Sequence, residues 1–280
     1  MPRVVQADYT VDELMCACIA RRLADGDIAL QGIATSLVAA GYVLAKLTHA
    51  PNLRIASAIG QGICQEWLPL GLARAEELWL GKAMATAGLV TAAVDLLPRL
   101  HPVEYFRPAQ IDPHGNFNNI AIGQNLRQPR LRLPGTGGIP DVSVLSKHVH
   151  LYVPRHSRAV FVPVLDACSG LGHSPLRRQG GGPVYLLTDL GQFDFAGGLM
   201  RLVTVHPGVS AERVQARTGF DLVVAPDLYE TPPPTAEEIR LLREDIDPLG
   251  VRKLETLGGQ ARKALLRDIL AREQDLASTS

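Results

Sequence analysis

Only four cysteines occur among the 280 residues. That number in a chain of this length does not make a disulfide framework. Cys16 and Cys18 stand too close for a common bridge, and no second C-x-x-C or nearby histidine pair completes a zinc site. Charge of one sign is also missing. Lys plus Arg number 28 and Asp plus Glu number 28, so the formal net charge is zero. No electrostatic case for nucleic acid or an acidic membrane follows. Long apolar runs are absent as well. The best candidate, from Ala83 to Leu97, is short of a membrane span and is interrupted by Asp95. The N-terminus, MPRVVQADYTVDELMCACIARRLADGD, places acidic residues ahead of any apolar run and does not read as a signal peptide. What remains is an ordinary globular composition, 46% hydrophobic and 20% charged, able to bury a full core. A cytoplasmic protein is expected.

Local patterns give the organisation. Thr10 before Val11-Asp12-Glu13 is a capping box, opening a helix to about Ala24 that Asp25-Gly26-Asp27 stops. A short strand, Ile28 to Gly32, is followed by a small-residue loop through Ser36. A helix from about Leu37 to Leu47 is broken at Ala50-Pro51-Asn52, and Leu53 to Ile59 reads as the next strand. Strand, helix, strand at this spacing is a βαβ unit with parallel strands. Further on, Val103 to Ile111 is expected to be a strand entering a type I turn at Asp112-Pro113-His114-Gly115. His148 to Val153, Val160 to Val164 and Val184 to Thr188 read as strands. Gln192 to Phe195 with Met200 to His206 reads as a hairpin, and Ser210 to Thr218 as a short helix. Pro232-Pro233-Pro234 is a stiff linker before a helix capped at Thr235. The boundaries expected are one domain over 1–250 and a helical tail over 251–280. The tail reads as docking on its own core, with a partner contact as the alternative.

Chemistry is harder to place. Three polar loops follow strand ends, around Gly32, around Gly60 and from Gly135 to Gly138. In open α/β sheets ligands sit at the carboxyl ends of strands, and glycine there lets backbone N–H groups approach a substrate oxygen. Any single loop also reads as an ordinary turn. Gly135-Thr136-Gly137-Gly138 lacks the remaining glycine of a dinucleotide fingerprint. Ser169 and His173 have no nucleophile elbow. His148 and His150 share a strand face by period two, compatible with metal but more simply a structural pair. Cys64 and Cys168 read as small core residues.

Taken together, the segments Gln110-Ile111-Asp112-Pro113-His114-Gly115-Asn116-Phe117-Asn118, Pro134-Gly135-Thr136-Gly137-Gly138, Leu187 to Phe195, His206-Pro207-Gly208-Val209, Thr218-Gly219-Phe220 and Ile246-Asp247-Pro248 resemble the β subunits of glutaconate-type class I CoA-transferases. The resemblance runs from about Thr10 to Gly250. It implies an open, mainly parallel α/β sheet with helices on both faces, of the NagB/CoA-transferase kind, and a separately encoded α-type subunit as partner. It implies an acyl-CoA substrate, with coenzyme A as part of that substrate and no bound cofactor or metal. In the family's transferases a glutamate after an early strand attacks the thioester. Here the matching segment, Ala58-Ile59-Gly60, has Ala58 in its place, and a methyl group forms no glutamyl intermediate. Two branches of the family also lack the glutamate, a decarboxylase branch and a steroid-ring hydrolase branch, and this sequence is similar to both. The resemblance implies catalytic backbone donors at Ile33, Ala34 and Gly138. It implies substrate contacts at Ala58, Gly60, Gln110, Asn116, Gly135 and Gly137. Decarboxylation or hydrolytic C–C cleavage through an enolate is the expected chemistry. True CoA transfer and a non-catalytic partner role are the alternatives.

Overall fold

The computed structural model describes residues 8–32, 35–57, 62–73, 75–123, 125–146 and 148–278. They form two compact units, one built from residues 8–86 and 232–278 and the other from 87–231. The segment after residue 250 is counted with the first unit, and its Val251, Arg252, Leu254 and Ile269 are all buried.

The first unit begins with α1 (Val11–Ala20), β1 (Ile28–Gln31), α2 (Ser36–Thr48), β2 (Arg54–Ser57), β3 (Gly62–Cys64), α3 (Ala75–Gly81) and β4 (Ala83–Thr86). Strands β1 and β2 pair in parallel, as the βαβ spacing predicts, and β3 and β4 continue antiparallel. The capping box is present, with the Thr10 N–H donating to Glu13 Oε2 at 2.9 Å. Small residues let α1 and α2 approach closely. A side chain at Gly41 would stand 2.7 Å from Ile19 Cβ and 3.1 Å from the Cys16 carbonyl. Helix α1 stops at Ala20, earlier than the pattern predicts, and Arg21 turns out of it. Its guanidinium donates to the carbonyls of Pro232 and Pro233 at 2.7 and 2.8 Å and pairs with Glu238. The proline segment is therefore held along its length.

The second unit carries α4 (Leu89–Thr91), a π-helical turn (Ala92–Leu96) and α5 (Leu97–Leu100). Then come β5 (Val103–Phe106), β6 (Gln110–Ile111), β7 (Phe117–Asn118), β8 (Ala121–Ile122), β9 (Leu131–Arg132) and α6 (Ile139–Leu145). It continues with β10 (His148–Val153), β11 (Pro183–Thr188), β12 (Gly191–Asp194), β13 (Arg201–Val205), α7 (Ala211–Arg217) and β14 (Val223–Glu230). Its sheet order is β14-β13-β12-β11-β10-β5, with β5, β10 and β11 parallel, the predicted hairpin β12–β13 antiparallel, and β13–β14 parallel. One face carries Phe106, Val149, Leu151, Leu186, Phe193 and Leu202, which pack with Phe117 and Phe161 into the core. Two expected strands differ. The run from Val103 to Ile111 splits because Pro108 has no N–H to donate to a ladder. Val160 to Val164 is not a strand. Val160 and Phe161 both donate to the Ser157 carbonyl in a turn, and only a bridge from Phe161 to Ile111 remains. The turn at Asp112 is as expected, closed by Gly115 N–H to the Asp112 carbonyl at 3.0 Å.

The chain returns to the first unit through α8 (Ala236–Arg240), a π-helical turn (Leu241–Ile246), α9 (Lys253–Thr256) and α10 (Gly259–Ser278). No helix among the described residues is long and apolar enough to cross a membrane.

Arg252 locks this returning segment to α1. Its guanidinium is fully buried and meets Asp12 at 2.8 Å, Glu13 at 3.1 Å and Asp247 at 2.9 Å. Glu13 also takes Arg243 at 2.7 Å. Burial works to raise the Glu13 carboxyl, but the hydrogen bonds from Arg243 and the Thr10 amide and the charges of Arg252 and Arg243 outweigh it and hold the group at about 2. Removing one member of such a cluster leaves uncompensated buried charge. Arg252→Ala should lower the free energy of unfolding by roughly 3–5 kcal/mol. Urea denaturation followed by circular dichroism measures it, and a loss below about 1 kcal/mol would show the cluster to be no stronger than a surface pair.

Candidate functional site

The polar groups fall into two sets, one in each unit. In the first unit they stand at the carboxyl ends of β1 and β2. Gln31 and Ser57 are the last residues of these strands and lie opposite one another in the parallel register, so their side chains share a face. Both are buried, Gln31 at 5% and Ser57 at 3% exposure. Among the described residues Gln31 Oε1 has no hydrogen-bond partner. A buried acceptor left without a donor costs about 1–3 kcal/mol, so it calls for an explanation. Just past Gln31, Thr35 donates to the Gly32 carbonyl at 3.0 Å. Helix α2 then starts on Glu255, whose Oε1 accepts from the Leu37 N–H at 2.8 Å and from the Ser36 hydroxyl at 3.2 Å. The exit of the loop is thereby fixed to the returning segment. Ile33, Ala34, Ala58 and Gly60, four of the residues singled out in the sequence, lie outside the described residues.

In the second unit the glycine loop hangs from a small hairpin. Strands β8 and β9 pair antiparallel, Leu133 N–H donates to the Ile120 carbonyl and Gly135 N–H to the Asn119 carbonyl, each at 3.0 Å. Gly135 and Gly137 have φ of +104° and +50°, conformations that favour glycine. A side chain at either would meet nothing within 4 Å, and one at Gly138 only Val142 Cγ2 at 3.4 Å. Packing therefore does not demand these glycines. Among the described residues the N–H groups of Gly137 and Gly138 have no acceptor. They are available donors in a loop whose surface is open.

Gln110 and Asn116 are placed differently. Gln110 donates to Asp166 at 3.0 Å and accepts from Asn118 at 2.7 Å and the Asp166 N–H at 3.1 Å. Asn116 donates to Asp112 at 2.8 Å and accepts from the Gly172 N–H at 2.8 Å. Both amides hold the β6–β7 hairpin and the loops around it, and through Asn118 and Asn119 they support the glycine loop. The hairpin bearing that loop also displays Arg127, Arg130 and Arg132, all exposed. None pairs with a carboxylate among the described residues, unlike Arg21, Arg201, Arg240 and Arg252. No acid lies between Asp112 and Asp141 in the sequence, a local excess of positive charge that the zero net charge of the chain conceals.

Other candidates are engaged in structure. Ser169 Oγ donates to the Phe117 carbonyl and accepts from the Asn119 N–H, while His173 Nε2 donates to the Pro183 carbonyl. His148 is exposed and His150 is packed edge-on against Tyr105 and Tyr185; no cluster of metal-binding side chains exists among the described residues. Cys64 is buried as expected, but Cys168 is exposed, its thiol donating to the Gly170 carbonyl. Spacing and motif do not single out His156, which lies flat on Phe161 at 3.7 Å between the hydroxyls of Thr188 and Thr218. Burial and the Arg217 charge push it down to about 3. Nor do they single out Glu104, on the core face of β5 opposite Val149. Burial raises that carboxyl to about 8, and among the described residues its Oε2 has no partner. A charge inside an apolar strand pattern was the available signal.

The chain belongs to the coenzyme A transferase family, whose model matches residues 13–217. It is similar to the B-type subunit of the 3-oxoadipate CoA-transferase of Pseudomonas knackmussii, 31% identical over 245 residues, covering 84% of this chain and 92% of that protein. It is also similar to the cholesterol ring-cleaving hydrolase IpdB subunit of Rhodococcus jostii, 35% identical over 155 residues, covering 52% of this chain and 60% of that one. Among solved structures it matches the decarboxylase AibA/AibB with a TM-score of 0.78 at 30% identity, over 89% of this chain and 99% of that chain. The expected α/β fold is the one these relatives share.

Glu104 gives a pH test. Its folded-state pKa lies above the usual carboxylate value, so the fold favours the protonated form. Stability from this group is full below about 4.5 and is lost as pH rises toward about 8. Glu104→Gln should therefore raise the melting temperature at pH 8 and change it little at pH 4.5. Equal shifts at both pH values would mean that Glu104 is charged or compensated in the fold.

Proposed function

We propose that this chain is the β-type subunit of a heteromeric enzyme, working with an α-type partner on an acyl-CoA thioester by decarboxylation or hydrolytic C–C cleavage. Coenzyme A enters as part of the substrate. The observation that carries the reading is Ala58, which stands where the resemblance puts the attacking glutamate. In both reactions a C–C bond breaks and its electron pair passes to the carbon beside the thioester carbonyl. The resulting enolate places negative charge on the thioester oxygen. Such chemistry needs donors aimed at that oxygen rather than a protein nucleophile. The open N–H groups of Gly137 and Gly138 are suited to it, and the arginines of the same hairpin, which pair with no carboxylate among the described residues, suit a substrate carrying phosphates.

The second reading is CoA transfer, favoured by the likeness to the 3-oxoadipate CoA-transferase along most of the chain. The assembled complex, given succinyl-, acetyl- or glutaconyl-CoA with labelled carboxylic acids, should exchange no CoA and leave no enzyme-bound CoA that borohydride reduces. Ping-pong exchange at ordinary enzyme rates would establish transfer instead.

The loop itself can be tested without disturbing the fold. Gly138 has an ordinary φ of −84° and room for a side chain. Gly138→Val should assemble and melt like the parent while its methyl groups crowd the donors. Turnover should fall on the order of a hundredfold, with a smaller change in CoA binding, because the negative charge on the thioester oxygen develops only as the C–C bond breaks. A folded, assembled variant with near-normal turnover would remove this loop from the mechanism.

A further inference from the structure

We infer that Arg127, Arg130 and Arg132 are substrate-binding residues that take the phosphates of the coenzyme A portion, one pantetheine length from the donors of the glycine loop. The inference rests on the function proposed above and adds where along the hairpin the nucleotide end lies. Residues 125–138, which carry both the arginines and the donors, are all described. The turn at the tip is closed by Asn125. Its side chain accepts from the Arg127 N–H at 3.0 Å and its carbonyl from the Gln128 N–H at 3.1 Å. Arg132 folds back to donate to the Leu126 carbonyl at 3.2 Å, which brings its guanidinium beside the turn that bears Arg127. The guanidinium groups of Arg127 and Arg130 make no hydrogen bond or ion pair among the described residues. Like charges gathered in this way repel one another, and a bound anion removes that repulsion.

The spacing matches the ligand. Gly135 is where the loop leaves the hairpin, with its N–H on the Asn119 carbonyl, and Arg130 lies five residues before it. An arm of that length, at 3.3 Å per extended residue, spans at most roughly 16 Å. In coenzyme A roughly thirteen bonds separate the thioester sulfur from the nearer phosphorus, about 16 Å in a stretched chain. A thioester oxygen at the glycine loop therefore leaves the phosphates at Arg130, with Arg127 at the turn and Arg132 folded toward it. The planar fork of guanidinium donors matches phosphate oxygens. Inorganic phosphate offers the same oxygens but lacks the tether to the glycine loop. The consequence is a choice among thioesters: a coenzyme A thioester is held at both ends, and a pantetheine thioester, which lacks the phosphates, at one.

The test uses the assembled complex, with free CoA and inorganic phosphate as probes in titration calorimetry and thermal melting alongside. Arg130→Gln removes a charge and breaks no hydrogen bond among the described residues. Alone it should weaken CoA binding about tenfold. Combined with Arg127→Gln the loss should reach about a hundredfold. The melting temperature without ligand should stay level, because both side chains are exposed. The parent's CoA affinity should fall as salt is raised, and the double variant's less steeply. A double variant that binds CoA as tightly as the parent overturns the assignment and leaves the proposed function standing. So does one that melts lower and loses affinity with the parent's salt dependence, which makes the arginines structural. A parent that binds inorganic phosphate as tightly as CoA has a site for the free ion, which also overturns the assignment. If the parent complex binds no CoA, the proposed function and this inference fall together.

Discussion

A single guanidinium holds the first unit closed. Arg252 comes late in the chain, and two of its three carboxylate partners, Asp12 and Glu13, come from the first helix. Arg252 and these three carboxylates are buried, so neither sign of charge is tolerable without the other. Its geometry also determines where α9 lies, and α9 carries Glu255. That carboxylate caps the start of α2 through Ser36 and Leu37. The first turn of α2 is thus tied, through Glu255, to the segment that the ion cluster holds.

The second unit supports its loop by hydrogen bonds without an ion pair among these groups. Its glycine loop has no packing of its own, and its position comes from amide side chains behind it. Asn118 binds its own turn and Gln110, Gln110 binds Asp166, and Asp166 receives the Gly123 N–H at 2.9 Å. Nearby, Arg177 joins the carbonyls of Ser143, Gly172 and Leu171 with no carboxylate among these partners, tying the segment after Gly170 to the helix that follows the glycine loop. Gln110 and Asn116, singled out in the sequence as ligand contacts, are also part of the frame behind this loop.

Much of the architecture was legible because it is local. The capping boxes at Thr10 and Thr235, the turn at Asp112 and the strand His148–Val153 follow from spacing and turn chemistry alone. The errors have local causes too: Pro108 and Pro163 interrupt runs that hydrophobicity reads as continuous. What spacing could not give was partnership. Asp12, Glu13 and Arg252 look like surface charges until the fold brings them together across most of the chain. Gln31 looks like an unremarkable strand end until its burial and its lack of a partner among the described residues are known. The three arginines of the hairpin were visible as residues, but their lack of acidic neighbours became meaningful only once other arginines were seen to be paired.

The interleaving of the two units has a consequence for biosynthesis. Residues 87–231 are contiguous, so all contacts inside that unit are available once they have left the ribosome. The first unit has no such advantage. When α1 emerges, Asp12 and Glu13 are acids without a cation, and Arg252 is still more than two hundred residues from being made. For most of translation the α1–α2 pair must therefore wait, solvated or chaperoned, until the second unit has had time to form. Contacts that complete the first unit come from residues 232–278, made only after the whole of the second unit.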